Sequence, residues 1–424
     1  MDTIYALSSG KPPAGIAVVR VTGPRAADAV QALAGHVPAP RKALHAMLRG
    51  SDGAVLDDGL VLWFPGPASV TGEDVAEFHL HGGKAIVAAV LAELASLDGL
   101  REAEAGEFTR RGFANGKIDL AEAEGLADLL AAETEMQRRA AMASAGGALS
   151  RQIEQWRVQL LRLSAEVEAV LDFEDEGDVS GLSEGFHERL RALVNELEVV
   201  AARPTTEVLR EGFRVVIAGP PNAGKSSLFN DLVGSEAAIT APVAGTTRDV
   251  LTRPVAIGGV PFLFVDTAGL REGGEDQIEA IGIERARGEL ERSDLVLWLG
   301  PEGEGPDGAL EVDAQADNAA VARKARPDAR VSAYTGEGMD KLRSMLIDAA
   351  KSSIPKPGEN ALNARQARLV EVAGESLRSG RDMADPLLIA ETLRVARRAF
   401  DDLLGRTATE DVLDTLFGRF CIGK

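Results

Sequence analysis

The chain has 424 residues, enough for two to four domains at roughly 100 to 200 residues each. With 45% hydrophobic and 26% charged residues it has the balance of a folded soluble protein, which excludes disorder, collagen-like repeats and low complexity as the main architecture. Lys plus Arg number 46 and Asp plus Glu 66, a net charge of −20, which argues against broad coating of nucleic acid or anionic membrane.

The first residues, MDTIYALSSGKPPAG, lack a basic start followed by an apolar core, so no signal peptide is expected. No apolar run approaches the length of about 20 residues that spans a bilayer. A single cysteine, Cys421, excludes an intrachain disulfide and a thiolate cluster, and points to a reducing, cytoplasmic setting.

Residues 1–116 predict an α+β domain. Its strands are Gly15–Val21, Leu60–Phe64 and Val75–Leu80, and its helices Arg25–Leu33 and Ala85–Leu94. From Glu107 to about Arg203 the pattern is helical. Leu149, Ile153, Trp156, Leu160, Leu163, Val167 and Val170 follow one another at spacings of 4, 3, 4, 3, 4 and 3, a seam that predicts a long helix packed in a bundle. A second helix is expected over His187–Ala202. Residues 209–353 then alternate strands, such as Phe213–Ala218 and Pro261–Val265, with helices, as in a parallel sheet. After Pro355-Lys-Pro-Gly358 the chain is helical again from Ala361 to about Leu404, with a break near Asp385-Pro386. Helical segments at 117–208 and 354–424 around an α/β segment predict an inserted domain whose two ends lie close together.

Gly219-Pro-Pro-Asn222-Ala223-Gly224-Lys225-Ser226 fits GxxxxGK[ST] between an apolar strand, FRVVIA, and a helical stretch, SLFNDLVG, the context a phosphate loop requires. Backbone N–H groups from Asn222 to Ser227 are expected to cradle phosphates, with the helix N-terminus adding its dipole. Lys225 would reach the β- and γ-phosphates and Ser226 would ligate Mg2+. Downstream, Asp266-Thr267-Ala268-Gly269 follows the strand PFLFV, where an acidic residue holds the metal through water and a glycine N–H senses the γ-phosphate. Between the two lies Gly245-Thr246-Thr247-Arg248-Asp249, a loop whose Thr247 is placed to close over the metal. The order and distances are those of a GTPase. The reaction class is phosphoanhydride hydrolysis by a positioned water.

Base recognition departs from the usual Asn-Lys-x-Asp. At that place stands Ala314-Gln315-Ala316-Asp317, followed by Ser332-Ala333-Tyr334. The Asp317 carboxylate suits guanine N1 and N2, a donor pair adenine lacks. Ala314 and Gln315 lack the expected loop-supporting amide and ring-covering lysine stem. Losing one or two contacts would cost roughly 1–3 kcal/mol, or about tenfold to a hundredfold in affinity.

These motifs, together with AGIAVVRVTGP, LDDGLVLWFPGPASVTGEDVAEFHLHGG, GEFTRRGFANGKIDLAEAEGLADLL, AITAPVAGTTRDV, DTAGLRE, IEAIGIERA and the terminal FCIGK, resemble the MnmE/TrmE family of tRNA-modification GTPases over essentially the whole chain. The resemblance implies an N-terminal α+β domain that binds a tetrahydrofolate (5-formyl- or methylene-) and forms the homodimer, a helical domain built from both flanks, and an inserted Ras-like G domain. It implies modification of carbon 5 of the wobble uridine of certain tRNAs, with an FAD-dependent partner of the MnmG/GidA type. It also implies potassium-dependent hydrolysis of GTP, the ion held by Asn222, Ala241, Val243 and Thr246, and a catalytic Glu279 orienting water where Leu270 cannot. Folate binding is carried over to Arg20, Glu77, Lys117 and Lys424, cations suiting the glutamate tail and an acid the pterin. One departure, Ala105 where a proline is common, affects only turn stiffness.

Cys421 has two readings, a thiol near the folate and the uridine, or a small apolar filler that docks the tail. His79 and His81 share a strand face, but no third metal ligand is evident, so packing roles are expected. A competing function is a GTP switch in ribosome assembly without base chemistry. The N-terminal domain paired with the CIGK tail, and the lack of a recognisable RNA-binding module, favour the enzyme reading. The acidic net charge predicts weak tRNA binding by this chain alone.

Overall fold

The computed structural model describes residues 2–172, 182–234, 251–266, 287–320, 323–356 and 360–424. They divide into two compact units. One comprises Met1–Ala127, Ala145–Arg157 and Arg397–Lys424, the other Asp128–Ser144 and Val158–Ala396.

The first unit is built on a six-stranded sheet. Its strands are β1 (Thr3–Leu7), β2 (Ile16–Thr22), β3 (Leu44–Arg49), β4 (Val55–Phe64), β5 (Val75–His81) and β6 (Leu100–Glu102), in the order β3-β4-β5-β2-β1-β6. Neighbours are antiparallel except β1 and β6. Helices α1 (Ala26–Ala34) and α2 (Lys84–Ser96) contribute Val30, Leu33, Val87, Val90 and Leu94 to one core with Val19, Val21, Val61 and Phe78. The period of two then turns Arg20, between Val19 and Val21, to the other face. Strands β1, β3 and β6 carry weak patterns and were not expected. In β3 the buried position is Leu48, with the rest exposed or half-buried, so no clean alternation marks it.

Helix α3 (Glu107–Ala114) follows the sheet, and α4 (Leu120–Ala131) begins the helical region. Next come α5 (Glu135–Ala145), α6 (Ala148–Asp172) and α7 (Glu184–Ala201). The expected seam on α6 is buried from Leu149 to Val167, and Val170 is half-buried. The helix contributes to both units, so Leu149, Ile153 and Trp156 serve one core and Leu160, Leu163 and Val167 the other. In the first unit the Trp156 ring stacks on Phe400 with centroids 5.9 Å apart.

The second unit holds a sheet of β7 (Phe213–Ala218), β8 (Leu251–Ile257), β9 (Val260–Asp266), β10 (Leu295–Trp298), β11 (Leu310–Asp313) and β12 (Ala329–Arg330), ordered β12-β11-β10-β7-β9-β8. Pairing is parallel, as expected, except between β8 and β9, so the sheet carries one antiparallel edge strand. Residues 258 and 259 are both glycines with positive φ, a turn that folds β9 back on β8. Pro254 is tolerated because β8 is an edge strand. The flanking helices are α8 (Glu207–Glu211), α9 (Lys225–Gly234) and α10 (Met339–Ser352).

Helices α11 (Ala364–Arg381), α12 (Pro386–Leu403) and α13 (Glu410–Phe417) end the chain. The two ends of the α/β segment meet as expected for an insertion. The Thr206 amide donates to the Leu362 carbonyl at 2.8 Å, and the Ala364 amide to Glu207 at 2.6 Å. Beside this junction α7 packs on α11, with Gly374 facing Leu197 and Arg378 paired to Glu198 at 2.7 Å.

Candidate active site

Strand β7 is central and its residues 215–218 are buried, as continuous apolar sequence requires in a parallel sheet. It ends at Gly219, with φ +150, where a Cβ would lie 3.0 Å from the Gly300 nitrogen. Glycine lets the chain turn there, and the loop 219–224 then feeds α9, which starts at Lys225. The Lys225 ammonium is buried and donates to the Gly219 and Pro220 carbonyls at 3.1 and 2.7 Å, arched over the loop it follows. Asn222 adopts φ +63, a left-handed conformation that asparagine tolerates better than most residues. Ala223 packs on the core, Gly224 is half-buried, and the Ser226 and Ser227 side chains are exposed on the first turn.

Asp266 ends β9, and the parallel register that pairs it with Ile217 delivers its carboxylate to the mouth of the loop. The Ser226 hydroxyl donates to Asp266 Oδ2 at 3.1 Å. A hydroxyl and a carboxylate converging beside a phosphate loop form a hard-oxygen donor set that fits Mg2+. Thr246, Thr247, Thr267, Ala268, Gly269 and Glu279 lie outside the described residues, as do the potassium positions Ala241 and Val243.

Asp317 is exposed and accepts from the buried Ser332 hydroxyl at 2.5 Å. That bond holds its carboxyl below the ordinary value. Ala333 is half-buried and Tyr334 is 90% exposed. Sequence reasoning treated Gln315 as a lost contact. In the structure its amide donates to the Asn222 carbonyl at 2.9 Å. The signal was the residue type itself, since a carboxamide both donates and accepts.

In the first unit, Arg20 and Glu77 stand directly opposite on β2 and β5. The guanidinium reaches Glu77 Oε1 at 2.8 and 3.0 Å and lies 5.7 Å from the Phe108 ring centre. Burial pushes the Glu77 carboxyl up, but the charge and hydrogen bonds of Arg20, with a bond from His79, outweigh it and hold the group below the ordinary glutamate value. Thr22, two residues along on the same strand face, bonds Thr71 at 2.7 Å. The next residue, Gly72, faces the Lys117 stem and the Asn115 side chain. Lys117 also lines a cleft of about 630 Å³ with Asp119, Arg151 and Arg406.

The C-terminal tail docks through Gly423, which is buried against the Leu7 carbonyl at the end of β1, and through a bridge between Ile422 and Ala105. Lys424 is half-buried. Cys421 is exposed, so the filler reading gives way: Phe420 and Gly423 pack, and the thiol does not. The tail and Arg20 are therefore anchored to the same strand, since Arg20 pairs in register with Ala6. His79 and His81 bond separate carboxylates, Glu77 at 3.3 Å and Asp57 at 2.8 Å, and the His81 side chain is exposed. Among the described residues no cluster of three His, Cys, Asp or Glu is poised to hold a metal, and no helix is long and apolar enough to cross a membrane.

Comparison with known proteins covers the whole chain. A model described as the MnmE helical domain matches residues 120–421, and one described as the GTP-binding protein TrmE N-terminus matches residues 3–117. The tRNA modification GTPase MnmE of Erythrobacter litoralis is 59% identical over 427 residues, covering 100% of both chains. That of Novosphingobium aromaticivorans is 58% identical over 436 residues, also 100% of both, and that of Zymomonas mobilis 49% identical over 438 residues, again 100% of both.

Proposed function

We propose that this chain, which belongs to the MnmE family of tRNA modification GTPases, hydrolyses GTP at the loop 219–226 and uses that cycle in the modification of tRNA. The observation that carries the reading is the convergence of Lys225, Ser226 and Asp266 at the C-terminal ends of β7 and β9. Lys225 binds the β- and γ-phosphates, exchanging its carbonyl partners for phosphate oxygens. Ser226 and Thr247 would hold Mg2+, with the Asp266 carboxylate beside Ser226 adding to the donor set. Bound there, the ion supplies charge neutralisation on the phosphates. Asn222, Ala241, Val243 and Thr246 would hold K+, which would supply the positive charge that an arginine finger supplies elsewhere. Glu279 orients the attacking water.

The Arg20–Glu77 pair fits a folate. The Glu77 carboxylate accepts from the pterin amino and N–H groups, with Arg20 holding it in place, and Lys117 and Lys424 face the folate's carboxylates. The folate supplies a one-carbon unit when bound. With an FAD-dependent MnmG/GidA-type partner and as a homodimer, the protein adds a carboxymethylaminomethyl-type group at carbon 5 of the wobble uridine, in the cytoplasm. The partner supplies much of the cationic tRNA surface, in keeping with a net charge of −20 here.

The test is GTP turnover by the purified chain in potassium and in sodium buffer. Turnover faster by more than about tenfold in potassium is expected from placing a charge at the transition state. Equal turnover in both would refute the ion site at Asn222, and no turnover in either would refute an autonomous GTPase.

A further inference from the structure

The base-recognition segment lacks the asparagine that would brace it, yet it is held firmly. Ala314 offers only a methyl group, which packs on the core. One residue on, the Gln315 side chain lies across the phosphate loop. A Cβ built at Gly224 would meet its Cγ and its amide nitrogen, each at 3.2 Å. The amide nitrogen donates to the Asn222 carbonyl at 2.9 Å, and the amide oxygen accepts from Asn318 at 3.3 Å. Both hydrogen-bonding ends of the carboxamide are used.

The backbone is arranged to allow this. Gln315 has φ +59 and Asn222 φ +63, so a left-handed residue stands at each end of the link. Glutamine avoids that region, and an outlier of this kind persists where the surroundings over-determine it. Here they do. The Arg323 guanidinium donates to the carbonyls of Gln315, Ala316 and Asn318 at 3.3, 2.7 and 3.3 Å, and the Ala316 amide donates to Val331 at 2.9 Å. Asp317 is the next residue, fixed from the far side by Ser332, whose oxygen also accepts the Thr335 amide at 3.1 Å.

We infer that Gln315 is a positioning residue for the purine, a latch that ties the Asp317 loop to the phosphate loop in place of the absent asparagine. Its consequence is specific to this chain. The side chain at 315 is committed to the phosphate loop. Guanine affinity then depends on the rigidity of the Asp317 loop. The inference rests on Asp317 being the base reader, and the test separates the two.

The experiment measures dissociation constants of fluorescent GDP and xanthosine diphosphate, with kcat and KM for GTP, on the full chain. Asp317→Asn tests the reader. Xanthine carries a carbonyl where guanine carries the amino group, so the variant loses GDP and gains the xanthine nucleotide. Gln315→Gly keeps the left-handed turn at no conformational cost and removes the latch; Gln315→Glu keeps the size and removes the donor. Both are expected to weaken GDP binding and raise KM for GTP about threefold to tenfold, the effect of one hydrogen bond, with melting temperature unchanged. GDP binding within twofold of the parent in both Gln315 variants, while Asp317→Asn switches preference, overturns the latch alone. Failure of Asp317→Asn to switch overturns the reader, and the latch with it. A fall in melting temperature that accompanies the loss of affinity overturns positioning in favour of general support.

Discussion

Replacing Gly423 with alanine tests whether the terminal tail is held by its backbone fit. The residue has φ +93, and an added Cβ would lie 2.2 Å from the Leu7 carbonyl oxygen and 3.0 Å from the Ser8 Cα. Two costs combine. An L-residue in the left-handed region loses about 1–2 kcal/mol. Pressing a methyl group into backbone that has no side-chain freedom costs about 1–3 kcal/mol more. Together, about 2–5 kcal/mol favours the undocked tail, roughly thirtyfold at the lower end. The assay is carboxypeptidase digestion followed by mass, with hydrogen exchange at Gly106, whose amide donates to the Cys421 carbonyl in the docked tail. Faster loss of Lys424 and faster exchange are expected. Gly35→Ala is the control, since Gly35 has φ +80 and nothing within 4 Å of a Cβ, so only the conformational cost applies. A tail as well protected in Gly423→Ala as in the parent would refute the reasoning. A loss matched by Gly35→Ala in overall stability would assign the effect to strain and not to contact.

Glu77→Gln removes the charge that Arg20 faces. The Glu77 carboxyl is held below its ordinary value in the fold, so its contribution is present above the unfolded value and fades as pH falls through the folded one. The melting temperature of the variant should lie below the parent's at neutral pH and converge with it in acid, below the ordinary glutamate range; parallel curves down to the acid limit would exclude this account. Trp156→Ala empties a fully buried site stacked on Phe400, and urea unfolding of the first unit should show a loss of about 3–5 kcal/mol, with less than about 1 kcal/mol counting against the packing.

What the sequence determined lies in local pattern. The phosphate loop needs contiguous residues between a strand and a helix, so its strand, Phe213–Ala218, appears at the expected residues. The seam from Leu149 to Val167 follows from helical period alone, and it shows which residues are buried without showing in which core. The insertion was legible from the two helical flanks, and the Thr206–Leu362 bond closes it. Short strands such as β10 and β12 were not legible, because a few residues carry no period and gain their place from neighbours already in the sheet. The antiparallel direction of β8 against β9 was decided by a two-glycine turn.

Tertiary structure alone decided the pairings between residues far apart in the chain. Arg20 and Glu77 are 57 residues apart and meet because β2 and β5 are in register. Gln315 and Asn222 are 93 apart, and no propensity at either position predicts that a carboxamide bridges two loops. Cys421 read equally as thiol or as filler until the docking of Gly423 on β1 turned it outward. A side chain's type limits which bonds it can make, and the fold decides which partner is within reach.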